Sequence, residues 1–155
     1  MQDALDAAGV AARIVEYVQS GRTSAEAAAV IGCAVGQIAK SLVFRAASGR
    51  GVLIVASGAN RVDETKVAAA LGEPIGKADA TFVREVTGFA IGGIPPLGHA
   101  QALVSLVDRD LFRYDVVYAA GGTPYAMFPL TPAELLRVSA GTVADVALFV
   151  PPPPA

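Results

Sequence analysis

The chain contains no tryptophan, one cysteine (Cys33) and one histidine (His99). A lone cysteine excludes an intramolecular disulfide and fits a reducing compartment. One histidine with one distant cysteine makes no metal-ligand cluster, so neither a metal nor another cofactor is expected. A basic excess is missing too. The formal net charge is −2, whereas a dedicated nucleic-acid binder usually carries a broad positive surface. No uninterrupted apolar run reaches the roughly 18 residues of a membrane span. Asp3 and Asp6 stand where a secretory leader would carry basic residues, so the chain reads as cytoplasmic.

What is present is small and apolar. Of 155 residues, 54% are hydrophobic and 17% charged, and Phe and Tyr number six and four. Such a chain can bury roughly 70% of its unfolded surface in one core of small side chains. Residues 1–150 are expected to form one domain, and 151–155 a proline-rich tail unable to join a helix interior or a ladder.

Local signals order the elements. Residues 1–9 suggest an Ala-rich helix ended by Gly9, and residues 12–18 a short strand. Thr23-Ser24-Ala25-Glu26 has the form of a capping box opening a helix that Gly32 ends. A further helical turn is expected from Val35 to about Lys40. Leu42-Val43-Phe44 starts a strand, and Ser48-Gly49-Arg50-Gly51 turns it back into Val52–Ala56, a hairpin pattern. Asp63 and Asp79 cap two more helices, closed by Gly72 and Gly88. Phe89–Ile91, Leu103–Val107, Val116–Ala120 and Tyr125–Leu130 read as strands, with a helical turn at Asp108–Phe112. Thr131-Pro132-Ala133-Glu134 is a second capping box, with Pro at the first helical position, and 141–150 holds a last short element. Paired strands with irregularly placed helices predict an α+β fold with a mixed, mostly antiparallel sheet.

Two stretches stand out chemically. Lys40 lies among Ile38, Ala39, Leu42 and Val43, where a snorkelling stem competes with a point charge set at a pocket rim. Half a chain later, Gly92-Gly93-Ile94-Pro95-Pro96-Leu97-Gly98-His99 places three Gly and two Pro in its first seven residues. Glycine permits close approach to a ligand, and proline stiffens the path. The loop is neither a Walker A nor a dinucleotide fingerprint, because its spacing is wrong for both. His99 fits no triad, since no motif points to a partner serine. Cys33 reads as a small packed residue. Asn60-Arg61-Val62-Asp63 with Lys66 reads as a cap and a solvated face.

These segments, in this order, resemble the YbaK/EbsC family of aminoacyl-tRNA deacylases, which is related to the editing insertion of bacterial prolyl-tRNA synthetase. The resemblance rests on Ile38-Ala39-Lys40-Ser41-Leu42-Val43-Phe44, then Val52–Gly58, Asn60–Asp63 and Gly92–His99. Val116–Gly121 and Leu130–Leu136 complete it. It covers about residues 5–147 and implies a barrel-like α/β fold and hydrolysis of the ester between a wrong amino acid and the terminal adenosine of a tRNA. The resemblance implies that Lys40, at a helix–strand junction, holds the acylated adenosine end, with Gly93 and Gly98 completing the catalytic set through the glycine loop. The expected substrate-binding set is Ser41, Gly92, Ile94, Pro95, Leu97, His99 and Met127, although a hydrogen-bonded structural role competes for His99. Many members carry Ser where Pro95 stands, and some synthetase domains use a His in a late strand, whereas the late strand here, Tyr125–Leu130, has none and Met127 lies in that region.

The expected substrate is a tRNA acceptor end bearing an amino acid of the Ala, Cys, Ser or Thr class. A synthetase is an expected partner, and Lys40, Arg45, Arg61 or Lys66 would help bind the tRNA. Attack by water or by the substrate's 2′-hydroxyl needs no protein nucleophile. Two other readings remain: a non-catalytic module for an acceptor end or a synthetase, and a hydrolase of another small ester or nucleotide-linked substrate.

Overall fold

The computed structural model describes residues 1–21 and 23–149. Arg22, the end of the last element and the tail fall outside the described residues. The order is α1 (Gln2–Ala7), β1 (Val15–Glu16), α2 (Ser24–Ile31), β2 (Ile38–Ala46), β3 (Gly51–Ser57), α3 (Glu64–Leu71) and β4 (Ile75–Lys77). α4 (Ala80–Thr87), β5 (Val104–Asp108), β6 (Val117–Ala120), β7 (Ala126–Leu130), α5 (Pro132–Ser139) and β8 (Thr142–Ala144) follow. Short 3-10 turns cover Val35–Gln37 and Arg109–Arg113.

The strands form one eight-stranded sheet in the order β1-β7-β6-β2-β3-β5-β8, with β4 paired to β2 off that path. Four pairings are antiparallel and three parallel, so the mixed, mostly antiparallel sheet is as expected. β3 is buried along its whole length. Such a strand feeds both faces of a sheet, hence its unbroken apolar run. Leu53 and Val55 enter the larger cluster with Leu5, Val107, Leu111, Phe128 and Leu135. Val52, Ile54 and Ala56 point to a second cluster with Val67 and Val146.

Four helix starts follow their local chemistry. The Thr23 and Thr131 hydroxyls accept from the amides of Glu26 and Glu134, both at 3.1 Å. Asp63 accepts from Thr65 and Lys66, and Asp79 from Phe82 at 2.7 Å. At Thr131 the box is closed, because its amide donates to the Glu134 carboxylate at 2.9 Å.

Three expectations are corrected. The helical turn ends at Gln37, and Lys40 is the third residue of β2 instead of lying at a helix–strand seam. Ile38 and Ala39 pair with Tyr118 and Ala119, and ladder pairing across the chain overrides the local helical signal. Phe89–Ile91 forms no strand. The Thr87 hydroxyl accepts from the Phe89 amide at 3.0 Å, which turns the chain away from any ladder. β4 had no local signal, and it exists because Phe44–Ala46 offers it an edge. The strand expected over 12–18 shrinks to the two residues of β1, paired with β7.

Candidate active site at the edge of the central strand

β2 is longer than its neighbours on one side, and that mismatch creates the site. Along one edge it pairs with β3 from Ala39 to Arg45. On the other edge β6 takes Ile38 and Ala39, and β4 takes Phe44–Ala46. Lys40 to Val43 therefore have no ladder partner on that second edge among the described residues. A cavity of about 350 Å³ opens there. Residues 38–42 form one wall. Ser24 and Ala27 of α2 form a second, and Ala120 of β6 with Met127 of β7 a third. Ile91, Gly92 and Ile94 close the remaining side, with Ile91 largely exposed and Ile94 buried.

Lys40 supplies the charge. Its Nζ donates to the Asn60 carbonyl at 2.6 Å, which uses one of its three donors. Partial burial pushes its pKa below the ordinary lysine value. Arg61 pushes the same way, and the Asp108 carboxylate opposes both. Next to it, the Ser41 hydroxyl is buried and has no hydrogen-bond partner.

The glycine–proline loop is divided. Gly92 and Ile94 line the cavity with Lys40, Ser41 and Met127. Gly93 is buried, and a Cβ built on it would lie 2.6 Å from the Thr123 Cα, so it permits backbone-to-backbone packing on the β6–β7 turn. Pro95 is buried, and its carbonyl accepts from His99 Nε2 at 2.7 Å; the Nε2 must then carry the proton. Burial pushes the His99 pKa down, partly opposed by that bond. Leu97 joins the larger core cluster. Leu97, Gly98 and His99 line a different cavity, of about 280 Å³, against Val138, Ser139 and Ala140. The structure therefore does not bring these three into the space around Lys40.

Two basic residues expected near a tRNA are already engaged. Arg45 stacks on Phe82, 4.9 Å from the ring centre, and Lys66 pairs with Asp145 at 3.0 Å. Cys33 is free and half-buried, and burial pushes its thiol up, away from thiolate reactivity. No group of metal-ligating side chains occurs among the described residues. Sequence reasoning missed the α2 wall, Leu42, Ile91, Asn60 and Asp108. The run of alanines after Thr23 was the available signal for a wall that leaves space.

Fold and site together define a single-domain α/β protein with a small ligand cavity at a notch in its central strand. The chain belongs to the aminoacyl-tRNA editing domain family, whose model matches residues 18–138. A candidate trans-editing enzyme for prolyl tRNA synthetase superposes with a TM-score of 0.90 at 46% identity, covering 96% of this chain and 94% of that one. A structure from work on grafting linear epitopes onto scaffold proteins gives 0.90 at 44% identity, with coverage of 96% and 95%. The uncharacterised protein YwhH of Bacillus subtilis (strain 168) is 35% identical over 126 residues, which is 81% of this chain and 80% of that protein. The family expected from the order of the motifs is thus the family found.

Proposed function

We propose that this chain is a free-standing trans-editing deacylase. It hydrolyses the ester that joins a small amino acid, of the Ala, Cys, Ser or Thr class, to the terminal adenosine of a mischarged tRNA. The supporting observation is the single cavity shared by Lys40, Ser41, Gly92, Ile94 and Met127 in a chain of an editing family. Its volume lies near the low end for ligand pockets, roughly 300–1,000 Å³. Ile94, Met127 and Ala27 limit the amino acid by size, and sieving by size adds discrimination that one binding step cannot supply.

Water, assisted by the neighbouring 2′-hydroxyl of the substrate, adds to the ester carbonyl. The acyl C–O bond breaks, and the 3′-oxygen leaves as a hydroxyl after taking a proton. Lys40 acts as a donor and positive charge toward the carbonyl oxygen or the adenosine end, where charge develops. A lysine already donating to Asn60 suits an anchor better than a base. Gly92 and Gly93 bring the loop backbone close. Pro95, Leu97, Gly98 and His99 act at a distance by setting the loop's path. Residues 1–150 form the deacylase domain, working in the cytoplasm on the acceptor end, alone or beside a synthetase.

The test supplies tRNAs charged with Ala, Cys, Ser or Thr and follows the ester. Faster loss of one or more over the enzyme-free rate is expected. Unchanged ester across the panel at high enzyme overturns the reading, and saturable tRNA binding without turnover replaces it with a binding module.

A further inference from the structure

Lys40 is tied to a buried carboxylate through one intervening residue. Asn60 lies just beyond β3, and its backbone carbonyl accepts from Lys40 Nζ at 2.6 Å. The Asn60 side-chain amide donates to Asp108 Oδ2 at 2.9 Å and to Asp110 Oδ2 at 2.8 Å. Asp108 is fully buried. Its Oδ2 also accepts from the Ser57 amide at 3.0 Å, and its Oδ1 from the Asp110 amide at 2.9 Å. The Ser57 hydroxyl donates to the Gly36 carbonyl at 2.8 Å, which links the same loop to the approach to β2.

A buried carboxylate is costly unless its oxygens are satisfied or a cation lies nearby. Among the described residues Asp108 makes no salt bridge, and its bonds come from two backbone amides and one side-chain amide. A chain needing only a loop staple could use a neutral acceptor there. The charge makes sense one residue away from a half-buried ammonium, which it favours in its charged form.

We propose that Asp108 and Asn60 are positioning residues for Lys40: Asn60 fixes one of its three donors and leaves two for the cavity, and the Asp108 carboxylate offsets the loss of water around the ammonium. This goes beyond the deacylase reading, since it holds for any ligand that Lys40 meets. The other charged groups around this network are Arg61, which opposes the positive charge, and Asp110, held by Arg113 at 3.1 Å.

The chain has three lysines, Lys40, Lys66 and Lys77, so the proposal can be read without substrate. Lysine labelled with ¹³C at Cε gives three signals, assigned by single Lys→Arg substitutions and titrated by NMR. Asp108→Asn should move the Lys40 midpoint down by at least about half a pH unit, because the lost carboxylate favoured the charged form. Asn60→Ala keeps the carbonyl that accepts from Lys40 but removes the side-chain amide that pins it to Asp108 and Asp110. The carbonyl should then lose its fixed position, and the two Lys40 ε-protons, distinct while the ammonium is held, should become equivalent. Lys77 on β4 is the reference signal. Val67→Ala, a cavity in the separate second cluster, is the control for general loosening and should change neither readout. A folded Asp108→Asn protein with an unmoved Lys40 midpoint overturns the proposal. So do Lys40 ε-protons that stay distinct in Asn60→Ala, or that are equivalent in the natural protein. If Asp108→Asn does not fold, Asn60→Ala decides alone. Because no step uses tRNA, failure here is separable from failure of the deacylase reading.

Discussion

Lys40 carries opposing demands in one side chain. Burial disfavours its charge, while anchoring an ester or an adenosine end requires a donor in the cavity. Its apolar neighbours in sequence made it noticeable, but the Asn60 carbonyl that holds it is twenty positions away and invisible from composition. Lys40→Ala should lower kcat/KM for deacylation at least about tenfold, near 1.4 kcal/mol of barrier stabilisation; full activity in that variant removes Lys40 from the mechanism. His99 makes a different prediction. Its folded pKa lies below the ordinary value of 6.5, so between those two points the unfolded chain binds more protons and stability rises with pH. The contribution is fully present above about 6.5 and is lost as pH falls toward the folded value. Melting curves from roughly pH 7.5 to 4.5 should show that loss, and His99→Gln should flatten it.

At the scale of elements, legibility followed locality. Thr23, Asp63, Asp79 and Thr131 were readable as helix starts because each cap closes within three residues. The β2–β3 hairpin was readable for the same reason. β4, the early start of β2 and the lost strand at Phe89–Ile91 were not, since each depends on which edge a distant segment finds. The Gly92–His99 loop was legible as special but not as divided. Only the packing of Leu97 into the larger cluster and of Gly93 against Thr123 separates its halves. Gly93→Ala tests that packing. A backbone atom cannot swing aside as a side chain can, so overpacking here should cost about 1–3 kcal/mol in urea unfolding. It should also displace Gly92 and Ile94 and reduce deacylation. A variant as stable and as active as the parent would show that the turn yields.

For the whole molecule, charge sets the style of recognition. The net charge is −2, Arg45 and Lys66 are engaged, and no helix among the described residues is long and apolar enough to cross a membrane. A tRNA would then be held by shape at its end more than by phosphate neutralisation along its length. Each phosphate neutralised on a single strand contributes about −0.7 to the slope of log affinity against log salt. The measured slope for an uncharged tRNA should correspond to fewer than about three contacts. A steep slope, like that of a basic RNA binder, would reveal a positive surface assembled elsewhere.

The unpartnered edge from Lys40 to Val43 also has a consequence for isotope exchange. A strand in the middle of a sheet is normally the last place to take up deuterium, because its amides are locked on both sides. Here those amides of residues 40–43 that turn away from β3 have no ladder partner among the described residues, and residues 40–42 line the cavity. Those amides should exchange early, as a fast-labelling window within a slow-labelling strand. A bound aminoacyl end should close that window, so its protection would report occupancy directly, without any reaction taking place.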